Sequence, residues 1–224
     1  MDRQTWHDRY DLPGSWPTGR LRAVAARIRA ALDAAPPGPL RVISVCAGQG
    51  RDLIEVLADH PRRDDVRALL VELDPRNTAF AQESARAAGL DQVDVVTGDA
   101  ALTDHYRGTA PADLVLVCGV FGNITDEDIE HTVGTCTQLC ASGGTVIWTR
   151  NRAAPDRVPL ICGWFEERGF ERRWLSEPDA GFGVGVHRFT GEPDQLAEGM
   201  RMFDFVGYDV LKARARARAE PGSG

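Results

Sequence analysis

Residues 42–53 read Val-Ile-Ser-Val-Cys-Ala-Gly-Gln-Gly-Arg-Asp-Leu, VISVCAGQGRDL. A short apolar run, long enough for a buried strand, stops at a turn of small residues and passes at once into a helix-like segment. Gly48 and Gly50 permit positive φ and carry no Cβ, so a ligand can lie directly against the main chain there. The first amides of the following helix then point at the same place, which favours an anionic group. Such a turn predicts a site for a nucleotide or a nucleoside cofactor.

The rest of the chain repeats this pattern outward from the turn. On the N-terminal side, Thr18 to Ala35 places Ala, Leu, Val and Ile among arginines at helical spacing, and APPGP (35–39) stops it. LRVISVC reads as a strand and GRDLIEVLADH as a helix; RALLVEL is a strand, and PRNTAFAQESARAAG a helix opened by Pro75 and closed by Gly89. DQVDVVTGD and DLVLVCGVF give two more strands. TDEDIEHTVGTCTQLC is a helix with Thr125 as its N-cap, followed by the strand GTVIWTR and the helix APDRVPLICGWFEERG. FERRWLSE and FGVGVHRFT, joined by PDAG without a helix, predict an antiparallel hairpin at one edge. The expected fold is α/β: a doubly wound, Rossmann-like, seven-stranded and mostly parallel sheet with that C-terminal hairpin and an N-terminal helical and aromatic extension. Three regions follow: an extension and helix over 1–39 acting as a cap, a cofactor-binding core over 40–190, and a strap with a basic tail over 191–224.

Composition narrows the function classes. The 224 residues are 43% hydrophobic and 26% charged, as in an ordinary soluble globular protein. No apolar run approaches the roughly 18 residues of a membrane span, and the polar, aromatic N-terminus lacks a signal peptide's apolar centre, so a cytoplasmic location is expected. A formal net charge of −7 disfavours nucleic acid as a partner, because phosphate backbones need clustered cations. The exception is the tail LKARARARAEPGSG, read as a loose solvated terminus. The five cysteines, Cys46, Cys118, Cys136, Cys140 and Cys162, form no CxxC and no zinc-ligand spacing, so they read as core or pocket-wall thiols.

In a doubly wound sheet, ligands sit beyond the carboxyl ends of the strands. Those ends carry Cys46-Ala47-Gly48-Gln49-Gly50, then Glu72-Leu73, then Gly98-Asp99-Ala100, then Cys118-Gly119-Val120-Phe121. Glu72 follows Gly50 by 22 positions, where a carboxylate can accept both hydroxyls of a ribose. Asp99 can accept from an exocyclic adenine amine, and Gly119 leaves room for a chain to pass. Position 53, three after Gly50, is Leu and not the third glycine that a dinucleotide fingerprint wants.

Over Leu40 to Phe189 the chain resembles the class I S-adenosylmethionine-dependent methyltransferases: VISVCAGQG, VELDP, TGDA and DLVLVCGVFGN stand in the order of that family's motifs. The resemblance implies S-adenosylmethionine as cofactor, S-adenosylhomocysteine as product and no metal. It implies that Cys46, Ala47, Gly48 and Gly50 pack against the methionyl and ribosyl part. Glu72 with Leu73 would hold the ribose, Asp99 and Ala100 would frame the adenine, and Cys118, Gly119 and Val120 would line the methionyl portion. Two positions depart from the family: Ser44 stands where an acid is common, and Cys46 replaces the first glycine. The cofactor's amino group is then held by other residues or by water.

The acceptor is less legible. Trp6, His7, Tyr10 and Trp16 crowd into WHDRYDLPGSW, outside the repeating core; they predict either an aromatic lid, with His7 or Tyr10 as base, or a plain aromatic strap. Asn123 and Arg150 are the further candidates for acceptor binding, with Arg152 beside the latter. His131 and His187 read as packed or solvated, His105 as a loop residue near the rim, and His60 as a helix-end cation. MRMFDFVGY is apolar enough to dock as a strand or strap. The reading favoured is methyl transfer to oxygen, nitrogen or carbon of a small molecule. Its rivals are an RNA methyltransferase using the Arg-rich segments and a non-catalytic methyltransferase-like binding module. The sequence leaves oligomeric state open, a homodimer included.

Overall fold

The computed structural model describes residues 16–219. Its elements are α1 (Trp16–Ala34), β1 (Leu40–Val45), α2 (Arg51–Asp59), β2 (Val66–Glu72), α3 (Pro75–Ala87), β3 (Val93–Thr97), β4 (Ala112–Val117), α4 (Asp126–Leu139), β5 (Cys140–Asn151), α5 (Val158–Glu167), β6 (Phe170–Leu175), β7 (Phe182–Phe189) and α6 (Tyr208–Ala219). The seven strands form one sheet in the order β3-β2-β1-β4-β5-β7-β6. β1 to β5 run parallel, and β7 inserts antiparallel between β5 and β6. The order reverses between β1 and β4, which opens a crevice at the carboxyl ends of those strands.

Strand alternation divides the core between the two faces. Val42, Leu70, Leu114, Leu116 and Ile147 face α1, α2 and α3, whereas Ile43, Val45, Val115, Val117 and Trp148 face α4 and α5. The central strands are apolar on both faces because helices cover both. α1 is built into this core, with Val24, Ile28 and Leu32 at most 2% exposed. The face of α4 and α5 also takes Met202 and Phe203, which dock the segment after β7 as a strap against the core.

Three local expectations shift. DLVLVCGVF keeps strand geometry only to Val117; Gly119, at φ 82°, turns the chain away from the sheet. The strand around GTVIWTR begins earlier, at Cys140, with an irregular pairing between Ala112 and Leu114. The Arg–Ala tail is helical from Tyr208 to Ala219, since both residue types are strong helix formers.

Candidate active site

The turn after β1 is tight. Gly50 N–H donates to Ala47 O at 2.9 Å, and Ala47 N–H reaches across to Val71 O of β2 at 3.0 Å. Gly48 and Gly50 take φ of 58° and 66°, and Cys46 takes 52°, the one non-glycine with positive φ among the described residues. Cys46 thus holds a left-handed conformation at a cost of about 1–2 kcal/mol, at the position where the resembled family has glycine. A Cβ on Gly50 would lie 2.7 Å from Leu70 Cδ2 and 2.9 Å from Ile54 Cδ1, so α2 can pack this close to β2 only without a side chain there.

Glu72 closes β2, is 6% exposed, and turns back onto the glycine turn. Its Oε2 accepts Gly48 N–H at 2.9 Å, and its Oε1 accepts Asp74 N–H at 2.9 Å. Oε1 also accepts Asn77 Nδ2–H at 3.5 Å, so the carboxylate is fixed in orientation before any ligand arrives, and Oε2 keeps a further lone pair. Leu73 follows it at 55% exposure, a large apolar side chain beside the crevice with no core to join.

The loop after β3 is held from several sides. Gly98 N–H donates to Glu72 O at 2.9 Å, and Asp99 Oδ1 accepts Ala101 N–H at 3.1 Å. Arg201 of the strap pairs with Asp99 Oδ2 at 2.6 Å. Tyr106, fully buried, donates its hydroxyl to Ala100 O at 2.6 Å, and burial pushes its pKa well above 10. The half-buried His105 packs its ring onto Gly98, where a Cβ would come within 2.5 Å of Cε1.

The loop after β4 completes the crevice. Cys118 donates its thiol to Ile147 O at 3.8 Å, and burial keeps it protonated, well above its usual range. Gly119 N–H donates to Thr149 Oγ1 at 2.8 Å. Val120 lies behind this loop, fully buried. Asn123 spends its side chain on the scaffold: Nδ2 donates to Gly119 O at 2.7 Å, and Oδ1 accepts Tyr208 N–H at 3.1 Å. Asp52 sits in the first turn of α2. Burial raises its pKa to about 6 despite the backbone N–H of Leu53 and the charge of Arg20, and the Asp52 charge is felt at Cys118.

The structure thus gathers the predicted Cys46–Gly50 turn, Glu72, Leu73, Asp99, Ala100, Cys118 and Gly119 along one edge of the sheet. Arg150 ends β5, one strand beyond β4. Trp6, His7 and Tyr10 lie outside the described residues, as does the side chain of Trp16. His131 is exposed on α4, and His187 is buried beneath the sheet edge against Trp148 and Phe165. Sequence reasoning missed Arg20, Asp52, Tyr106 and Arg201. Asp52 stood in plain view next to the glycine turn; Arg201, 102 residues from its partner Asp99, carried no signal at all. Among the described residues no three His, Cys, Asp or Glu side chains group to hold a metal ion, and no helix is long and apolar enough to cross a membrane.

Residues 42–144 match the family described as methyltransferase domain. No curated protein matches the chain. Among solved structures, an O-methyltransferase family protein from Burkholderia thailandensis is 17% identical with a TM-score of 0.57, over 78% of this chain and 56% of that one. The chain therefore spans little more than half of that neighbour's length. A SAM-dependent methyltransferase from Thiobacillus denitrificans, solved in complex with S-adenosyl-L-homocysteine, is 17% identical with a TM-score of 0.53, over 74% and 90% of the two chains. A precorrin-6y C5,15-methyltransferase from Geobacter metallireducens is 13% identical with a TM-score of 0.55, over 75% and 88%. At these identities the likeness is one of fold. The matched segment contains the glycine turn, Glu72, Asp99 and the loop after β4, so the crevice at the carboxyl ends of β1 to β4 lies within the stretch that is similar to a methyltransferase domain.

Proposed function

We propose that the protein transfers the methyl group of S-adenosylmethionine to oxygen, nitrogen or carbon of a small molecule in the cytoplasm, leaving S-adenosylhomocysteine. The observation that carries this reading is the link from Glu72 Oε2 to Gly48 N–H, which sets a ribose-accepting carboxylate against a turn bare of side chains. Gly48 and Gly50 receive the ribosyl and methionyl part, and Leu73 covers one face of the adenine. Asp99, aligned by Arg201, takes the adenine amine, while Cys118 and Gly119 border the methionyl chain. Asp52, near both Cys118 and Arg20, supplies the carboxylate for the amino group that Ser44 does not.

When bound, the cofactor supplies a methyl carbon already activated by its sulfonium. The residues around it need only hold an acceptor in line, exclude water and take up any proton the acceptor releases, and alignment alone lowers a barrier by several kcal/mol, on the order of 7. His7 or Tyr10 is the proposed base, with Trp6 and Trp16 as walls of the acceptor pocket. The small acceptor is supported by the net charge of −7, which repels a polyphosphate chain. Calorimetric titration with S-adenosylmethionine and S-adenosylhomocysteine, with NAD as control, tests the reading, followed by a mass-spectrometric acceptor screen. Micromolar binding of both sulfur compounds without NAD binding is expected; no binding of either would remove the enzyme assignment.

A further inference from the structure

The arginines at the carboxyl end of β5 are unequally hydrogen-bonded. Arg152, its side chain 9% exposed, pairs with Asp156 at 2.7 Å and donates to Ser176 O at 3.1 Å. Arg157 pairs with Asp126 at 2.8 Å. Arg150 feels the charge of both aspartates and of Arg157 but forms an ion pair with neither aspartate among the described residues. Its Nε and Nη1 are buried with no hydrogen-bond partner among the described residues. Buried N–H donors left without an acceptor are costly enough that folded proteins rarely keep them without use.

A second donor faces the same spot. A Cβ built on Gly122, in the loop after β4, would lie 3.3 Å from Asn151 Nδ2 and 3.7 Å from Arg150 Nη1. Asn151 Oδ1 is engaged by Ala153 N–H at 3.2 Å, which orients the amide so that its NH2 is the end turned to Gly122. Asn151 Nδ2 donates to nothing among the described residues. Two donors converge beside a residue that has no side chain, with no acceptor between them. Tyr208 of α6 lies close enough to Arg150 to affect its charge, so the spot is bordered by the β4 loop, the end of β5 and the start of α6.

We propose that Arg150 and Asn151 form an oxyanion subsite, and that the acceptor carries a carboxylate or phosphate that binds there. The inference rests on the methyl-transfer reading for the word acceptor, but the subsite itself does not. The Gly48 turn belongs to β1, and β4 stands between β1 and β5, so this group is distinct from the cofactor's own carboxylate. The charged Arg150 Nη1 donor beside the Asn151 amide suits the oxygens of a carboxylate or of a phosphate equally.

The test uses the whole protein and four probes, benzoate with benzamide and phenyl phosphate with phenol, titrated with and without S-adenosylhomocysteine. Benzoate or phenyl phosphate should bind while its neutral counterpart does not, and which of the two anions binds tells carboxylate from phosphate. Arg150→Met should weaken that binding by about ten- to a hundredfold, the loss of one charged partner. Arg150→Lys should restore part of it, and S-adenosylhomocysteine affinity should stay within about twofold, well under one tenfold step. Failure of both anions to bind, equal binding by the Met variant, or a parallel loss of S-adenosylhomocysteine affinity would each overturn the proposal. Anion binding lost with Arg150 in a protein that never binds S-adenosylhomocysteine would uphold the subsite and sink the methyl-transfer reading instead.

Discussion

Glu72 accepts two backbone N–H groups, from Gly48 and from Asp74, each at 2.9 Å, so it ties the glycine turn to the start of α3. Glu72→Ala removes both bonds and leaves two amides at the crevice without their partner. The expected cost is about 1–3 kcal/mol in urea unfolding and about ten- to a hundredfold in S-adenosylhomocysteine affinity by calorimetry. Glu72→Gln keeps one acceptor oxygen and should lose less of each. Unchanged affinity in the Ala variant would remove Glu72 from the cofactor site. The exposed Arg201–Asp99 pair is a different case, since solvent screens it, and its stability contribution is small, ~1 kcal/mol at most. Spacing alone made Glu72 readable, because a carboxylate about twenty residues past a glycine turn falls at the next strand end. Arg201 was not readable, because nothing local fixes which loop a distant strap crosses.

Among the elements, the strap between β7 and α6 does the most to shape the crevice. Met202 N–H donates to Ala101 O at 2.8 Å, and Thr103 N–H to Met200 O at 3.0 Å, which pins the loop after β3. Val206 and Gly207 donate to Asn123 O at 2.9 and 2.8 Å, which pins the loop after β4. Asn123→Ala leaves those backbone bonds but frees Gly119 O and Tyr208 N–H. Faster amide exchange at Tyr208 and the first turn of α6 is expected, with a stability loss of about 1–2 kcal/mol. Unaltered exchange there would show that α6 is anchored elsewhere. The sequence announced apolar residues in MRMFDFVGY but not their destination. It also favoured a loose tail where α6 forms, because helix propensity in an Arg–Ala repeat competes with the tendency of chain ends to fray.

Across the whole molecule, one acid and one base, Asp52 and His187, oppose each other as pH falls. His187 is fully buried, accepts Trp148 Nε1–H on Nδ1 at 3.0 Å, and has its pKa pushed down to about 4 by burial and then by Arg172. Its folded pKa lies below the unfolded value, so acidification from about pH 6.5 to 4 drains stability by up to about 1.4 kcal/mol per pH unit. Asp52 runs the other way: its pKa, raised to about 6 by burial, lies above the unfolded value. Between about pH 6 and 4 its protonation in the folded state adds stability. The wild type should therefore show a shallow acid limb in urea midpoints measured from pH 4 to 8. Asp52→Asn removes the opposing group and should make that limb steeper, whereas a curve parallel to the wild type would contradict the assignment.

The sequence by itself determined the alternation of strand and helix, the parallel sheet with its antiparallel edge, and the tight glycine turn after β1. These follow from periodicity, from glycine's lack of a Cβ and from short-range spacing, all of which a linear chain displays. Tertiary structure alone decided that Arg201 would align Asp99, that Asn123 would serve the scaffold, and that Arg150 would keep two buried N–H groups without a hydrogen-bond partner among the described residues. Those outcomes depend on which distant segments meet and on how many charges of each sign they bring. No local pattern encodes that sum.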